Sequence, residues 1–135
     1  MSYAIEEIEG IGPTYGAKLK AAGIKTTTTL LNKGKKPAGR KAIAEAAGIS
    51  EKLILEWCNL ADLMRIKGIG KQFSELLEAA GIDTVKELRN RNAANTAAKM
   101  AEVNAEKKLT RTVPSEAMIA DWVAQAKAMD PVLEY

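Results

Sequence analysis

Two segments of this chain are copies of one another, and that duplication constrains its fold more than any other feature. Residues 8–31 read IEGIGPTYGAKLKAAGIKTTTTLL and residues 66–89 read IKGIGKQFSELLEAAGIDTVKELR. At an offset of 58, with no gap, 11 of the 24 columns are identical. A weaker correspondence follows: Ser50, Glu51, Ile54 and Trp57 match Ser115, Glu116, Ile119 and Trp122 at an offset of 65. The step from 58 to 65 places about seven extra residues in the second copy, around Ala105–Val113. The chain reads as two related units, residues 1–64 and 65–135. No Gly/Ser-rich or Pro-rich linker separates them, so they are expected to form one compact domain with a shared core.

Helix signals recur at equivalent places. Pro13 fits a first helical turn, where its missing N–H costs nothing, and Gly23 fits the end of that helix. Thr84 opens Thr-Val-Lys-Glu, the spacing of a capping box with Glu87 at the third helical position. Thr26 is the matching cap without the glutamate. Residues 38–47 read as a short alanine-rich helix closed by Gly48. Ser50 caps a longer helix whose apolar residues at 53, 54, 57, 60, 61 and 64 fall on one face. Ser115 caps the last helix. No convincing strand is visible. The fold class is all-α, with eight to ten helices, and the helix from Ser50 is expected to close the first unit and lead into the second.

Composition excludes several functions. There is no histidine among the 135 residues, which removes the commonest general base and the usual hydrolase triads. The single cysteine, Cys58, cannot form an internal disulfide and makes a reducing, cytoplasmic setting the expectation. No run approaches the ~18 apolar residues of a membrane helix. Glu6, Glu7 and Glu9 stand where a signal peptide would be apolar. No nucleophile–base pair can be assembled, so an enzyme is not expected, and no cofactor, metal or small-molecule substrate either. A net charge of +3 permits a polyanionic partner without demanding one.

The segment able to carry chemistry is Gly-Ile-Gly, present as Gly10-Ile11-Gly12 and Gly68-Ile69-Gly70. In each copy it is followed by a small residue (Gly16, Ser74) and a leucine (Leu19, Leu77). Glycines at both ends of so short a turn allow backbone angles denied to other residues and leave no side chain over the peptide N–H groups. A helix begins at once, so its unpaired N–H groups and positive dipole end point the same way. A phosphate oxygen suits such a site. Ile11 and Ile69 are expected to point inward.

This spacing resembles the helix-hairpin-helix motif of non-sequence-specific DNA-binding proteins. The whole chain resembles a bacterial family of tandem helix-hairpin-helix proteins with no assigned activity. The resemblance implies contact with duplex DNA through phosphates, which positions a protein without reading sequence. In that motif class the turn carbonyls can hold a monovalent cation. Carried onto this chain, the nucleic-acid-binding residues are Gly68, Gly70, Lys67 and Lys71, then Gly10, Gly12 and Lys18. The second turn is the stronger candidate, because Arg65, Lys67 and Lys71 surround it while Glu6, Glu7 and Glu9 flank the first. The wide spacing of the turns along the chain argues that they do not face one duplex together.

Other residues carry blander expectations. Lys33, Lys35, Lys36, Arg40 and Lys41 form a basic segment that reads as a solvated loop or a phosphate-binding one, and Lys107, Lys108 and Arg111 a looser cluster. Trp57 and Trp122 are expected in the core, and Tyr15 and Phe73 between the units. The leading function is non-catalytic nucleic-acid binding to the backbone. The rival is a helical protein-interaction or scaffold module that binds no nucleic acid.

Overall fold

The computed structural model describes residues 2–135. A short 3-10 turn at Ile5–Glu7 precedes eight helices: α1 (Gly12–Ala21), α2 (Thr27–Lys33), α3 (Pro37–Ala47), α4 (Glu51–Leu63), α5 (Lys71–Ala79), α6 (Val85–Leu88), α7 (Ala93–Lys107) and α8 (Glu116–Ala128). The first four and the last four correspond in order, as the repeat requires. The described residues contain no strand, only one isolated bridge between Ala4 and Thr26.

The polar cap residues act where the sequence places them. Thr26, Ser50, Thr84 and Ser115 each accept a hydrogen bond from the backbone N–H three residues on. Each satisfies one orphan donor of a first turn, an interaction worth about 1 kcal/mol. Asn92 does the same for α7. Gly48 closes α3 in the left-handed conformation, at φ 67°. The extra length of the second unit falls at the end of α7 and in the connection after it, close to where the change of offset places it. α7 has 15 residues against 11 in α3, a longer connection follows it, and α6 is shorter than α2.

The buried apolar side chains form two clusters, one per unit. The first holds Ile5, Ile8, Ile11, Leu19, Leu30, Ile54, Trp57 and Met64 among others. The second holds Leu63, Ile66, Ile69, Leu76, Leu77, Leu88, Ile119 and Trp122 among others. α4 contributes to both, because Leu63 turns toward the second unit while Trp57, Leu60 and Met64 turn toward the first. Each repeat carries its own isoleucines, leucines and tryptophan, so each can bury a core of its own; what the units share is the helix.

Tyr15 and Phe73 pack within their own units rather than between them. The Tyr15 ring lies 5.1 Å from that of Trp57, and the Phe73 ring 5.4 Å from that of Trp122, both tilted. The tryptophan sits on the fourth helix of each unit and the smaller ring on the first, so each aromatic pair ties the two ends of one unit together.

The units are joined by polar contacts that break the repeat. Asp62, 3% exposed, accepts from the Val85 N–H at 2.8 Å and from Arg65 at 2.9 Å. At the equivalent place in the first unit, the Thr27 N–H donates to the Tyr3 carbonyl. The C-terminal tail then folds back over the first unit. Arg40 donates to the Gly34 and Glu134 carbonyls at 2.9 and 2.8 Å, and the Tyr135 hydroxyl donates to Asn59 at 2.8 Å.

Candidate nucleic-acid interface

Each Gly-Ile-Gly turn stands on its own tryptophan. Ile11 and Ile69 are buried as expected, at 1% and 0% exposure, and anchor the turns to the cores. The first glycine of each turn, Gly10 at φ 91° and Gly68 at φ 102°, lies in the region that favours glycine. The Trp122 indole edge comes so close beneath Gly68 that a Cβ there would fall 2.9 Å from Nε1; the corresponding distance at Gly10 and Trp57 is 3.8 Å. The small residue after each turn does its part differently in the two copies. Gly16 admits the Glu6 side chain, which a Cβ would meet at 3.0 Å, while Ser74 is fully buried and donates to the Lys71 carbonyl at 2.9 Å.

The turns differ at the second glycine. Gly12 has φ 61°, in the left-handed region that favours glycine. Gly70 has φ −105° and ψ −158°, extended backbone open to any residue. No atom lies within 4 Å of where its Cβ would stand. Neither backbone nor packing therefore explains why residue 70 is glycine.

Gly70 is also the N-cap of α5, and it supplies no capping side chain. α6, α7 and α8 all have one. Among the described residues, no backbone acceptor takes the N–H groups of Gly70, Lys71, Gln72 and Phe73; the next amide, Ser74 N–H, is the first to bond back, to the Gly70 carbonyl. Lys67, Gly68, Lys71 and Gln72 are exposed around this open end. In the first turn Pro13 stands at the position of Lys71 and lacks an N–H altogether.

Gln125 holds the second turn against α8. Its side chain accepts from the Lys67 N–H at 2.9 Å and donates to the Lys67 carbonyl at 3.0 Å and to Asp121 at 2.9 Å. The sequence carried no signal for this residue, because Leu60 occupies the equivalent place in the first unit.

Far apart in sequence, the turns are neighbours in space. Lys71 Nζ lies 3.6 Å from Glu9 Oε2, with both side chains nearly half exposed. The wide spacing along the chain does not keep them apart, because α5 packs against α4 and so brings the second turn beside the first.

The surroundings of the first turn are acidic. Glu9, Glu56, Glu75 and Glu78 line a cleft of about 180 Å³ together with Gly10, Leu53, Trp57 and Leu60. Burial first, and then the neighbouring Glu56, Asp83 and Glu75, push the Glu78 carboxyl up; burial and then Glu9 do the same to Glu75. Lys18 lies back along α1, its Nζ 5.9 Å from the centre of the Tyr15 ring. Lys20 is paired with Glu6, whose carboxyl that lysine holds below the usual range.

In the basic segment of residues 33–41 Lys33, Lys35, Lys36 and Lys41 are exposed, as a solvated segment would have them, while its backbone and Arg40 are built into the fold. Arg40 is 6% exposed. A Cβ on Gly34 would fall 2.6 Å from Cys58 Sγ, and one on Gly39 2.0 Å from the Lys33 carbonyl oxygen. Cys58 itself is buried and its thiol is pushed up to about 12, chiefly by desolvation. Lys108, from the looser cluster, closes α7 in the left-handed conformation. Among the described residues no group of three or more His, Cys, Asp or Glu side chains is placed to hold a metal ion, and no helix is long and apolar enough to cross a membrane.

The family described as a domain of unknown function (DUF4332) matches residues 9–129. The chain belongs to that family. The DUF4332 match begins in the first turn and runs past the end of α8, so it takes in both Gly-Ile-Gly turns and all eight helices. The tail that Arg40 holds lies beyond it. No curated protein and no solved structure matches the chain.

Proposed function

We propose that this DUF4332 protein binds nucleic acid through the phosphate backbone, without catalysis and without reading sequence, and that the second turn is its contact point. One observation carries the proposal. Gly70 needs to be glycine for neither its backbone nor its packing, and it stands at an uncapped helix start with four consecutive N–H groups unpaired. A bare backbone there admits a phosphate oxygen to those donors, at the positive end of the α5 dipole. In this reading the turn has the character of a helix-hairpin-helix contact.

Lys67 and Lys71 supply the charge. The Lys71–Glu9 pair is exposed, of the kind worth at most about 1 kcal/mol, so the lysine is free to exchange its carboxylate for a phosphate. The first turn takes no part. Pro13 removes a donor, and four carboxylates around the cleft beside it repel a polyanion. Gly10, Gly12 and Lys18 thus belong to the architecture of the first unit, and binding rests on Lys67, Gly68, Gly70 and Lys71.

The test is anisotropy of a labelled random-sequence duplex across a salt series. Two lysine–phosphate contacts set a slope of log affinity against log salt of about −1.8. Gly70→Ala adds a methyl group where the fold has room, so it should leave stability alone while weakening binding. Lys67→Ala with Lys71→Ala should abolish the salt dependence. Absence of binding at low salt and high protein concentration would end the proposal. So would binding that Gly70→Ala and the lysine variants leave intact.

A further inference from the structure

The duplication builds the same niche twice, and the chain covers only one of them. In the first unit the niche is lined by Glu9, Gly10, Leu53, Glu56, Trp57 and Leu60, and α5 of the second unit closes over it with Glu75 and Glu78, leaving about 180 Å³. The six equivalent positions of the second unit are Lys67, Gly68, Met118, Asp121, Trp122 and Gln125. They line a hollow of about 690 Å³, and the other residue lining it, Ala117, also comes from α8. Among the described residues no further helix lines it. Leu53 is half-buried under α5, whereas its counterpart Met118 is 40% exposed, one of three exposed large apolar side chains among the described residues.

From this we infer that the niche formed by the second turn and α8 is an interaction surface for a second copy of this chain, which places its α1 where α5 sits in the first unit. α1 is the repeat equivalent of α5, and its outward residues Pro13, Ala17, Lys20 and Ala21 are exposed. Charge agrees with this occupant. Within the chain, Glu78 of α5 lines the covered niche with Glu56, and burial and then the Glu56 carboxylate push the Glu78 carboxyl up. In the contact between copies the equivalent pair is Lys20 with Asp121, opposite in sign. Glu75 is replaced by Ala17, so Met118 meets a small uncharged residue; Lys67 and Gly68 line this niche and also belong to the proposed phosphate contact, so a second copy and nucleic acid compete for the second turn. The contact is head-to-tail, as in repeat proteins whose neighbouring units cover one another's faces.

The experiment is the weight-average mass of the full chain, followed by sedimentation equilibrium between about 10 µM and about 1 mM, the range in which small transient interfaces associate. The wild type should rise above the monomer mass with concentration. Met118→Glu, at an exposed position, should weaken association about tenfold or more, as should Asp121→Lys and Lys20→Glu by opposing like charges. A mixture of the Asp121→Lys and Lys20→Glu chains should form a one-to-one complex although neither associates alone. Circular dichroism confirms that each variant is folded. A wild type that stays monomeric overturns the inference. So does association that survives Met118→Glu, or a mixture that fails to form the complex while Met118→Glu still disrupts association; that last result would assign the niche to a two-fold contact.

Discussion

Replacing the first glycine of each turn by alanine compares two sequence-equivalent positions whose surroundings differ. Gly10 and Gly68 both have strongly positive φ, 91° and 102°, and an alanine held there costs about 1–2 kcal/mol in backbone strain. At Gly10 that is the whole cost, because the new methyl stands 3.8 Å from Trp57 Nε1, an ordinary contact. At Gly68 the methyl falls 2.9 Å from Trp122 Nε1. The indole is 2% exposed and packs on Phe73, so it moves only by disturbing the second core. Overpacking of that kind adds about 1–3 kcal/mol. Gly68→Ala should therefore be less stable than Gly10→Ala by about 1–3 kcal/mol, or about 4–12 °C in Tm for a chain of this size. Thermal and urea unfolding measure the difference. Tryptophan emission provides a second readout, shifted in the Gly68 variant and unchanged in the Gly10 variant. Gly70→Ala is the control, within about 0.5 kcal/mol of wild type, as expected of a surface change. Equal losses at Gly10 and Gly68, or a greater loss at Gly10, would refute the claim that the second turn rests on Trp122 more tightly than the first rests on Trp57.

Four further outcomes follow from the structure. Asp62→Ala strands the buried Val85 N–H and takes away one partner of Arg65, which keeps the Asp130 carbonyl, and should cost about 1–3 kcal/mol in urea unfolding. Arg40→Ala, and Arg40→Lys nearly as much, should release the C-terminal tail, because only the planar fork reaches both carbonyls; hydrogen exchange at Glu134 should rise while the second core keeps its protection. Burial and like charges raise Glu75 and Glu78 in the folded state, so the stability they contribute is full below the ordinary carboxylate value and is lost as pH rises through the raised one. Unfolding free energy should fall on that account as pH rises above the ordinary carboxylate value, and Glu75→Gln with Glu78→Gln should flatten that fall; an unchanged slope in the double variant would refute it. The Cys58 thiol, buried and pushed up to about 12, should resist a thiol reagent in the native protein and react once it is unfolded.

Much of the architecture is legible in the sequence because it is encoded locally. A serine or threonine with a free backbone N–H three residues on starts a helix, and Thr26, Ser50, Thr84 and Ser115 all do so. Apolar residues at helical spacing bury Ile54, Trp57, Leu60 and Met64 on one side of α4. The gapless offset of 58 equates the two Gly-Ile-Gly turns from the residues alone. It also implies that equivalent residues are buried alike, which holds for Ile11 and Ile69.

Tertiary structure decided which features of the repeat differ between its copies, and the candidate site depends on those differences. The repeat equates Gly12 with Gly70, yet the first takes a backbone angle that favours glycine and the second does not. That follows from how α1 and α5 leave their turns. Gln125 became a clamp, and Asp62 a cap for a helix 23 residues away, because side chains equivalent by sequence meet different neighbours. Glu9 and Lys71 lie 62 positions apart in the chain and form an ion pair across the two turns. The basic segment around Arg40 has the composition of a solvated loop, and its lysines are exposed, but the guanidinium is buried between the Gly34 carbonyl of the segment itself and the Glu134 carbonyl of the returning tail. Local sequence determines how a helix begins, ends and orients its apolar face, because those interactions span three or four residues. The charge of a neighbour, the covering of a niche and the pairing of an amide depend on what long-range packing brings alongside, and two copies of one unit in a single chain cannot have identical surroundings.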